Sequence, residues 1–463
     1  MNYEKILSMI LLLCAAFSVQ LRAEEVFTAG NPVYIQGEAA NTKWETTADY
    51  LKEMNHLGNG VYSWTGELKK ADFRFVCEAG NGWYVMAFEA KSNGYGVSGG
   101  YLYPVDYQKH DADKNFSVSE AGNYRLILDT QDKILIVQKA DDTTIYAIGD
   151  DFGGWTKGQA VALTEGENLK YTYKAKLEND KYFRFSLNNG ENTFNQYCRI
   201  ASAYAGDGDV AVNSSGVGVS DSRTDRVYCF SANEGNWHVT EAGYYTLTLD
   251  LVARKLSVTY TPATINAVAE AGSSEFYATF SSSYGNMALT GTDLKIYDVT
   301  VNGNNLNLTQ HEGNLVAQGE GVLVKASAAQ ITVAPTNEEV TADEYGNSTL
   351  LVATPGIKQE VTPETGFKLY RLTYNKLSTH EGLGFFSTTS GNIQAQPGKA
   401  YLKVQTTQSA SLKGFLINPQ PTGVEAIGVD ADCDNTIYDL SGRRVENPSN
   451  GIYIQNGKKI FVK

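Results

Sequence analysis

The side chains best placed to do chemistry in this 463-residue chain are aromatic rings rather than titratable groups. Histidine, a common general base and metal ligand, occurs only five times and never in an HxH or HExxH arrangement. Carboxylates are numerous, but no spacing singles out an acid–base pair. No Walker-type phosphate loop occurs either. We therefore expect a protein that is not an enzyme and that carries no metal and no cofactor.

Tryptophans in predicted turns are the better candidates. Trp44, Trp83 and Trp155 each follow a short apolar run and lie among glycine and polar residues. A flat indole can cover the apolar C–H face of a sugar ring, while a neighbouring amide such as that of Asn81 binds its hydroxyls. The alternative, in which each ring packs back into its own sheet, stays open. Trp64 and Trp237 lie inside strand-like runs and are expected in cores.

A repeat in the sequence positions these rings. VYIQGEAANTKW at residues 33–44 matches IYAIGDDFGGW at 145–155, and an FRF triplet occurs at both 73–75 and 183–185. The segment VSEAGNYRLILD, which begins at Val118, matches VTEAGYYTLTLD, which begins at Val239. Matched blocks in the same order predict two copies of one domain-sized unit. We name them module 1 (residues 24–141) and module 2 (residues 142–261).

Short, alternating, aromatic-rich runs bounded by Gly, Asn or Asp predict an all-β protein. The modules should be tandem immunoglobulin-like or carbohydrate-binding-type β-sandwiches. Residues 262–417 (the third region) should form another β-rich domain of unknown role, with a hairpin at Asn302-Gly303. Residues 418–463 (the tail) should contain a linker and a small β unit. A short helix is predicted over 48–57, and a long loop over 95–110.

The N-terminus predicts export. Residues 1–23 place Lys5 before an apolar run and offer Ala23 for cleavage, as in a secretory signal peptide. No later run is long enough for a transmembrane helix. Cys198 and Cys229 could then form a disulfide, or remain two buried thiols. The net charge of −14 argues against nucleic-acid ligands.

The VYxxG strand, the turn tryptophan and the FRF strand resemble the repeated starch-binding modules of the SusE and SusF surface proteins of Bacteroidetes. The resemblance covers residues 33–138 and 145–258. It implies a sugar platform of two aromatics, one after the first strand and one after the FxF strand. In module 1 these would be Trp44 and Trp83, with Asn81 at the rim. In module 2 they would be Trp155 with Phe194 or Tyr197, because no tryptophan follows the second FRF triplet closely.

The tail resembles a second known family. Its IYDLSGRRV, GIYI and closing lysine are similar to the type A C-terminal sorting domain of type IX secretion. Together the resemblances imply a non-catalytic, secreted or outer-membrane surface protein that binds polysaccharide. The polysaccharide they favour is an α-glucan. Its partners would include outer-membrane glycan-uptake or secretion machinery. The alternative is a structural or adhesin-like surface protein that contacts other proteins and has no sugar site.

Overall fold

The computed structural model describes residues 27–45, 47–78, 86–109, 114–190, 198–202, 209–218, 235–340, 349–375, 382–409, 413–417, 437–439, 443–455 and 458–462. The all-β prediction is confirmed. In these ranges the only α-helix is the four-residue Thr406–Ser409, and the other helical segments are 3-10 turns at Glu38–Ala40, Ala48–Tyr50 and Glu167–Leu169. None of the helices in the described ranges has the length and apolar character that crossing a bilayer requires.

Module 1 is a sandwich with two halves, β2-β1-β5-β6 and β11-β10-β4-β3, which β8 joins by pairing with both β6 and β11. β9 pairs with β5, and β7 pairs with β9. Aromatic and aliphatic side chains from both halves fill one core between them. The strands are β1 Tyr34–Gln36, β2 Lys52–Glu53, β3 Asn55–Gly58, β4 Val61–Leu68, β5 Asp72–Val76, β6 Met86–Ala90, β7 Tyr95–Val97, β8 Tyr101–Lys109, β9 Phe116–Val118, β10 Gly122–Asp129 and β11 Ile134–Lys139.

The predicted helix over 48–57 is wrong. One 3-10 turn is followed by the edge strands β2 and β3, which pair with β1 and β4. Leu51 and Met54 are both buried, but they pack into two different apolar clusters. Their spacing of three therefore does not mark one face of a helix. The two residues lie on either side of β2 and pack into separate clusters.

The predicted loop over 95–110 is also wrong, because its described residues include β7 and β8. The first half of β8 pairs with β11 and the second half with β6, so this strand passes from one half of the sandwich to the other. Pro104 lies at the changeover. Proline cannot donate a ladder hydrogen bond, and a changeover between partners is a position where that loss is tolerated.

Module 2 has two sheets, β13-β12-β16-β20-β18-β19 with β17 attached at β16, and β14-β15-β21-β22. Trp237 is fully buried between them, as expected, whereas Trp64 of module 1 is half-buried against its core. The strands are β12 Tyr146–Gly149, β13 Val161–Ala162, β14 Thr164–Glu165, β15 Lys170–Leu177, β16 Lys181–Ser186, β17 Arg199–Ile200, β18 Val210–Asn213, β19 Gly216–Val217, β20 Trp237–Val239, β21 Gly243–Asp250 and β22 Lys255–Thr261.

The two modules share an apolar interface. Ile127 and Ile136 of module 1 belong to the same buried cluster as the core of module 2. Arg254 of module 2 crosses this boundary: its Nε and Nη2 donate to the two Asp129 carboxylate oxygens at 2.6 Å, and Nη2 also donates to the Asn59 carbonyl oxygen at 2.8 Å. Both charged side chains are almost fully buried.

The third region stacks sheets around two cores. The sheet β24-β25-β30-β27-β28 lies in the middle, with one core toward β23-β31-β26-β29 and the other toward β32-β37-β34-β35-β38. The hairpin at Asn302-Gly303 is confirmed, because Asn302 pairs with Asn305. The strands are β23 Thr264–Asn266, β24 Val268–Ala269, β25 Phe276–Ser281, β26 Met287–Thr290, β27 Lys295–Asn302, β28 Asn305–Gln310, β29 Leu315–Val316, β30 Gly321–Ala326, β31 Gln330–Pro335, β32 Leu351–Ala353, β33 Gln359–Val361, β34 Phe367–Asn375, β35 Gly382–Phe386, β36 Ile393–Ala395, β37 Ala400–Gln405 and β38 Gly414–Leu416.

The tail contributes a separate four-stranded sheet in the order β40-β39-β41-β42. Three large apolar side chains of this sheet are exposed: Tyr438, Ile452 and Phe461. The strands are β39 Ile437–Tyr438, β40 Arg444–Val445, β41 Gly451–Gln455 and β42 Lys458–Val462. The division into domains at residues 141, 261 and 417 stays a prediction.

Candidate functional site

The glycine that follows the first strand of module 1 allows the site to form. Gly37 has φ 126°, and a Cβ there would lie 2.4 Å from the Asp72 carbonyl oxygen and 2.7 Å from the Phe73 Cα. Only glycine permits this approach without strain. The turn is then closed by Thr42, whose hydroxyl pairs with both the N–H and the C=O of Gly37 at 2.7 Å. This closure places Trp44 over β5.

The indole ring of Trp44 packs against the guanidinium group of Arg74. The Arg74 Cζ is 5.4 Å from the centroid of the indole ring, while the ring itself is half-buried. Alternation along β5 explains the position, because Phe73 and Phe75 point into the core and Arg74 points to the opposite face. A guanidinium over an indole contributes about 0.5–2 kcal/mol, toward the upper end when it is desolvated.

Buried polar side chains of the module fix the position of Arg74. Its Nε donates to the Gln36 side-chain oxygen at 2.7 Å, and its Nη1 lies 3.7 Å from the Glu89 carboxylate. Glu89 in turn accepts from the Gln108 amide at 2.9 Å. All of Arg74, Gln36 and Glu89 are buried. The tryptophan therefore rests on a fixed cation whose charge is balanced inside the module.

Module 2 repeats the arrangement with a further restraint. The Arg184 Cζ lies 5.2 Å from the centroid of the half-buried Trp155 ring. The indole Nε1 donates to Asp150 Oδ1 at 2.7 Å, and Asp150 Oδ2 accepts from the Tyr182 N–H at 3.0 Å. Gly149, the last residue of β12, matches Gly37, and its Cβ position would lie only 2.2 Å from the Tyr182 carbonyl oxygen.

Module 2 also carries a second flat surface on the same strand. Tyr182 and Arg184 are two residues apart on β16, so their side chains share a face. The Tyr182 ring stacks on His238 with centroids 4.3 Å apart and planes inclined by 2°. His238 Nε2 lies 2.9 Å from Asp180. Partial loss of hydration, together with Asp180, Asp209 and Asp150, raises the pKa of Tyr182, which widens the pH range over which the phenol is a hydrogen-bond donor.

Other candidate residues lie outside the described part of the chain. These are Asn81, Trp83, Phe194 and Tyr197, and their proposed part in a sugar platform stays a prediction. Cys198 is a buried free thiol in the structure, and its expected partner Cys229 lies outside the described residues. The pairing of these two cysteines therefore stays a prediction as well.

Sequence reasoning missed Arg74, Arg184, Tyr182 and His238. A signal for the two arginines was present, because FRF occurs in both repeats and alternation places its middle residue opposite the two phenylalanines. Tyr182 and His238 have no such signal. The matching positions in module 1 are Asp72 and Ser117, which pair across β5 and β9 as Tyr182 and His238 pair across β16 and β20.

No protein-family model matches this chain. No curated protein matches it at a significant level. Among solved structures, the chain is similar to SusF from Bacteroides thetaiotaomicron, with 11% sequence identity and a TM-score of 0.28, over 66% of this chain and 73% of the SusF chain. A likeness this distant leaves the function to be argued from the side chains.

Proposed function

We propose that the protein is a non-catalytic polysaccharide-binding protein of the cell surface or the exterior, with an α-glucan as its ligand. Module 1 would bind through Trp44, and module 2 through Trp155 and Tyr182. The observation that carries the proposal is the repeated tryptophan–arginine stack, built at matching positions of the two modules.

The stack suits a sugar better than it suits core packing. Trp44 and Trp155 keep part of their surface accessible, unlike the fully buried Trp237. Each of them also lies against an arginine, whereas the half-buried Trp64 packs against the core of module 1. The arginine fixes the ring and occupies one side of it, so the remaining surface is a rigid apolar platform. In module 2 the Asp150 hydrogen bond fixes the rotation of the indole as well.

Polar groups near the rings supply hydroxyl partners. In module 1 the exposed Lys43 lies over the exposed Tyr50 ring, with its Nζ 4.2 Å from the centroid. In module 2 Tyr182 shares a face of β16 with Arg184, which contacts Trp155, and the exposed Lys157 follows Trp155 by two residues. Asn189 has a different role, because its amide pairs with both the N–H and the C=O of Ala160 and holds the tryptophan turn.

Repetition compensates for weak single sites. One shallow platform supplies an affinity in the millimolar range, about 4 kcal/mol. Two platforms on one polymer can raise the apparent affinity by about 10²–10⁴, provided that both engage the same chain. The shared interface and the Arg254–Asp129 pair restrict the relative orientation of the modules. This restriction favours a polymer whose spacing fits both sites.

Export and surface location belong to the same proposal. Residues 1–23 would direct the chain out of the cytoplasm, and the tail would act as a sorting unit or anchor. Partners at the outer membrane would be the glycan-uptake or secretion machinery.

Native affinity electrophoresis of residues 24–463 in gels containing amylopectin, dextran, xylan or mucin glycans tests the proposal. We expect retardation by amylopectin, reduced by Trp44→Ala or Trp155→Ala and abolished by the double substitution. Tyr438→Ala is the matched control, because it removes an exposed aromatic ring from the tail. Migration unchanged in every gel would reject the polysaccharide proposal and favour the adhesin-like alternative.

A further inference from the structure

Three titratable side chains meet in the core of the third region. Asp298, His311 and Glu320 are all buried, and one ligand atom from each lies within 4.8 Å of the other two. His311 Nε2 is 3.0 Å from Asp298 Oδ1. Glu320 Oε2 also accepts the Ala317 N–H at 2.8 Å, which fixes this carboxylate.

Strand alternation explains why the three converge. Asp298 lies two residues after Ile296 on β27. Glu320 directly precedes β30 and lies two residues before Val322 of that strand. Both apolar neighbours point into the core between the middle sheet and β26, so the two carboxylates point to the same interior. His311 follows β28 directly, and its N–H donates to the Ile296 carbonyl oxygen at 2.8 Å.

When both carboxylates are ionised, the charges of this cluster do not balance by themselves, and burial accordingly raises the pKa of Glu320. Two carboxylates bring −2, and a protonated His311 would return only +1. Among the described residues, neither Asp298 nor Glu320 forms an ion pair with a lysine or an arginine. Buried net charge is costly, and a buried charge is normally paired or bound to a metal. A divalent cation with a neutral histidine would bring the net charge to zero.

The donor set and the access route fit such an ion. Ligand atoms that bind one tetrahedral ion at about 2.0–2.2 Å lie about 3.3–3.6 Å apart, so the three atoms, now within 4.8 Å of one another, would move closer around the ion. One imidazole and two carboxylates suit Zn²⁺ or Mn²⁺ better than Ca²⁺, which prefers six to eight oxygens. His311 and the adjacent Glu312 line an open surface pocket of about 590 Å³, which gives a route inward.

We propose that Asp298, His311 and Glu320 bind one divalent transition-metal ion of the zinc class. Three protein ligands leave at least one coordination position for water or for a group entering from the pocket. The ion would join β27, the end of β28 and the start of β30, and so stabilise the third region. This site is independent of the sugar platforms of the two modules.

Isothermal titration of the chelator-treated chain (residues 24–463) with ZnCl₂ tests the proposal, with MnCl₂ and CaCl₂ titrated in parallel. We expect one Zn²⁺ per chain, weaker Ca²⁺ binding, and a thermal unfolding midpoint that rises with Zn²⁺. His311→Gln and Asp298→Asn should weaken Zn²⁺ binding at least tenfold. His56→Gln, which removes an exposed histidine, should leave Zn²⁺ binding unchanged.

Circular dichroism of each variant separates loss of the ligand from loss of the fold. If the variants do not fold, anomalous scattering at the zinc edge from crystals of the unsubstituted chain decides. A peak between the three side chains supports the proposal. Absence of stoichiometric Zn²⁺ binding, equal affinity in His311→Gln, or a peak elsewhere would overturn it.

Discussion

At the scale of single residues, the buried arginines explain how a half-buried tryptophan can be held rigidly on a β-sheet. Arg74 contacts Trp44 on one side and Gln36 and Glu89 on the other. The ring is therefore fixed while part of its surface stays accessible. Burying an ion pair costs desolvation free energy that apolar side chains of similar size would not cost. We therefore connect the buried Arg74–Glu89 pair with the platform rather than with core packing.

Arg74→Met should lower the free energy of unfolding by about 3–5 kcal/mol, because it leaves the buried Glu89 carboxylate without its cation. Urea denaturation measures the change. The double variant Arg74→Met/Glu89→Gln should recover a large part of it. Arg443→Met, at the exposed pair with Asp439, should cost less than about 1 kcal/mol. Equal losses in the single and double variants would contradict the pairing.

The two described cysteines should be chemically inert in the folded chain. Burial raises the pKa of Cys198 to about 12, and burial followed by the nearby Glu78 raises that of Cys77. An unfolded thiol has a pKa of about 8.5. The stabilisation from keeping Cys198 protonated is thus complete below about pH 8.5 and is lost as the pH rises toward 12.

Iodoacetamide at pH 8 should therefore modify neither Cys77 nor Cys198 until the protein is unfolded, as mass spectrometry of the peptides would show. Cys198 that resists alkylation in denaturant, and becomes reactive only after reduction, would instead establish the disulfide with Cys229.

At the scale of the elements, the turn after the first strand determines whether the platform forms. Gly37→Ala should destabilise the protein by about 1–3 kcal/mol, because the added Cβ meets the backbone of Asp72 and Phe73 at a positive φ. Gly96→Ala is the control, since nothing lies within 4 Å of its Cβ position. It should change the unfolding free energy by less than about 0.5 kcal/mol. Similar urea midpoints for the two variants would refute this account of the turn.

The alternation of apolar and polar residues was enough to predict strands that bury one face and expose the other. The predicted run Val61–Leu68 coincides with β4, and the predicted run at Asn305–Gln310 coincides with β28. It failed where a strand changes partners. β8 serves both halves of the sandwich, and the glycines that precede it, together with its own Pro104, are typical of a loop.

Only those residues of the candidate site that belong to a local sequence motif could be predicted. Trp44 and Trp155 are identifiable because each lies in a turn of a repeated block. Tyr182 and His238 are 56 positions apart in sequence and meet only through the register of β16 and β20. Asp298, His311 and Glu320 likewise match no spacing motif, because three different chain segments bring them together.

At the scale of the whole molecule, the Arg254–Asp129 pair fixes one module against the other. Arg254→Met should lower the unfolding free energy by about 3–5 kcal/mol, because it leaves the Asp129 carboxylate buried and unpaired. Adding Asp129→Asn should restore part of this loss. The amide oxygen can still accept the Gln131 and Asp132 N–H groups that Asp129 now binds at 3.0 Å. Urea denaturation decides, and a double variant no more stable than Arg254→Met would contradict the prediction.

The central claim, that two tryptophan–arginine platforms bind one glucan chain, is tested most directly by calorimetry with maltoheptaose and with amylopectin. We predict that Trp44→Ala and Trp155→Ala each halve the number of maltoheptaose sites. Each should weaken amylopectin binding by about 10²-fold or more, because avidity is lost. The double variant should bind neither ligand. Undiminished amylopectin binding by a folded double variant, or no binding by the unsubstituted chain, would contradict the claim.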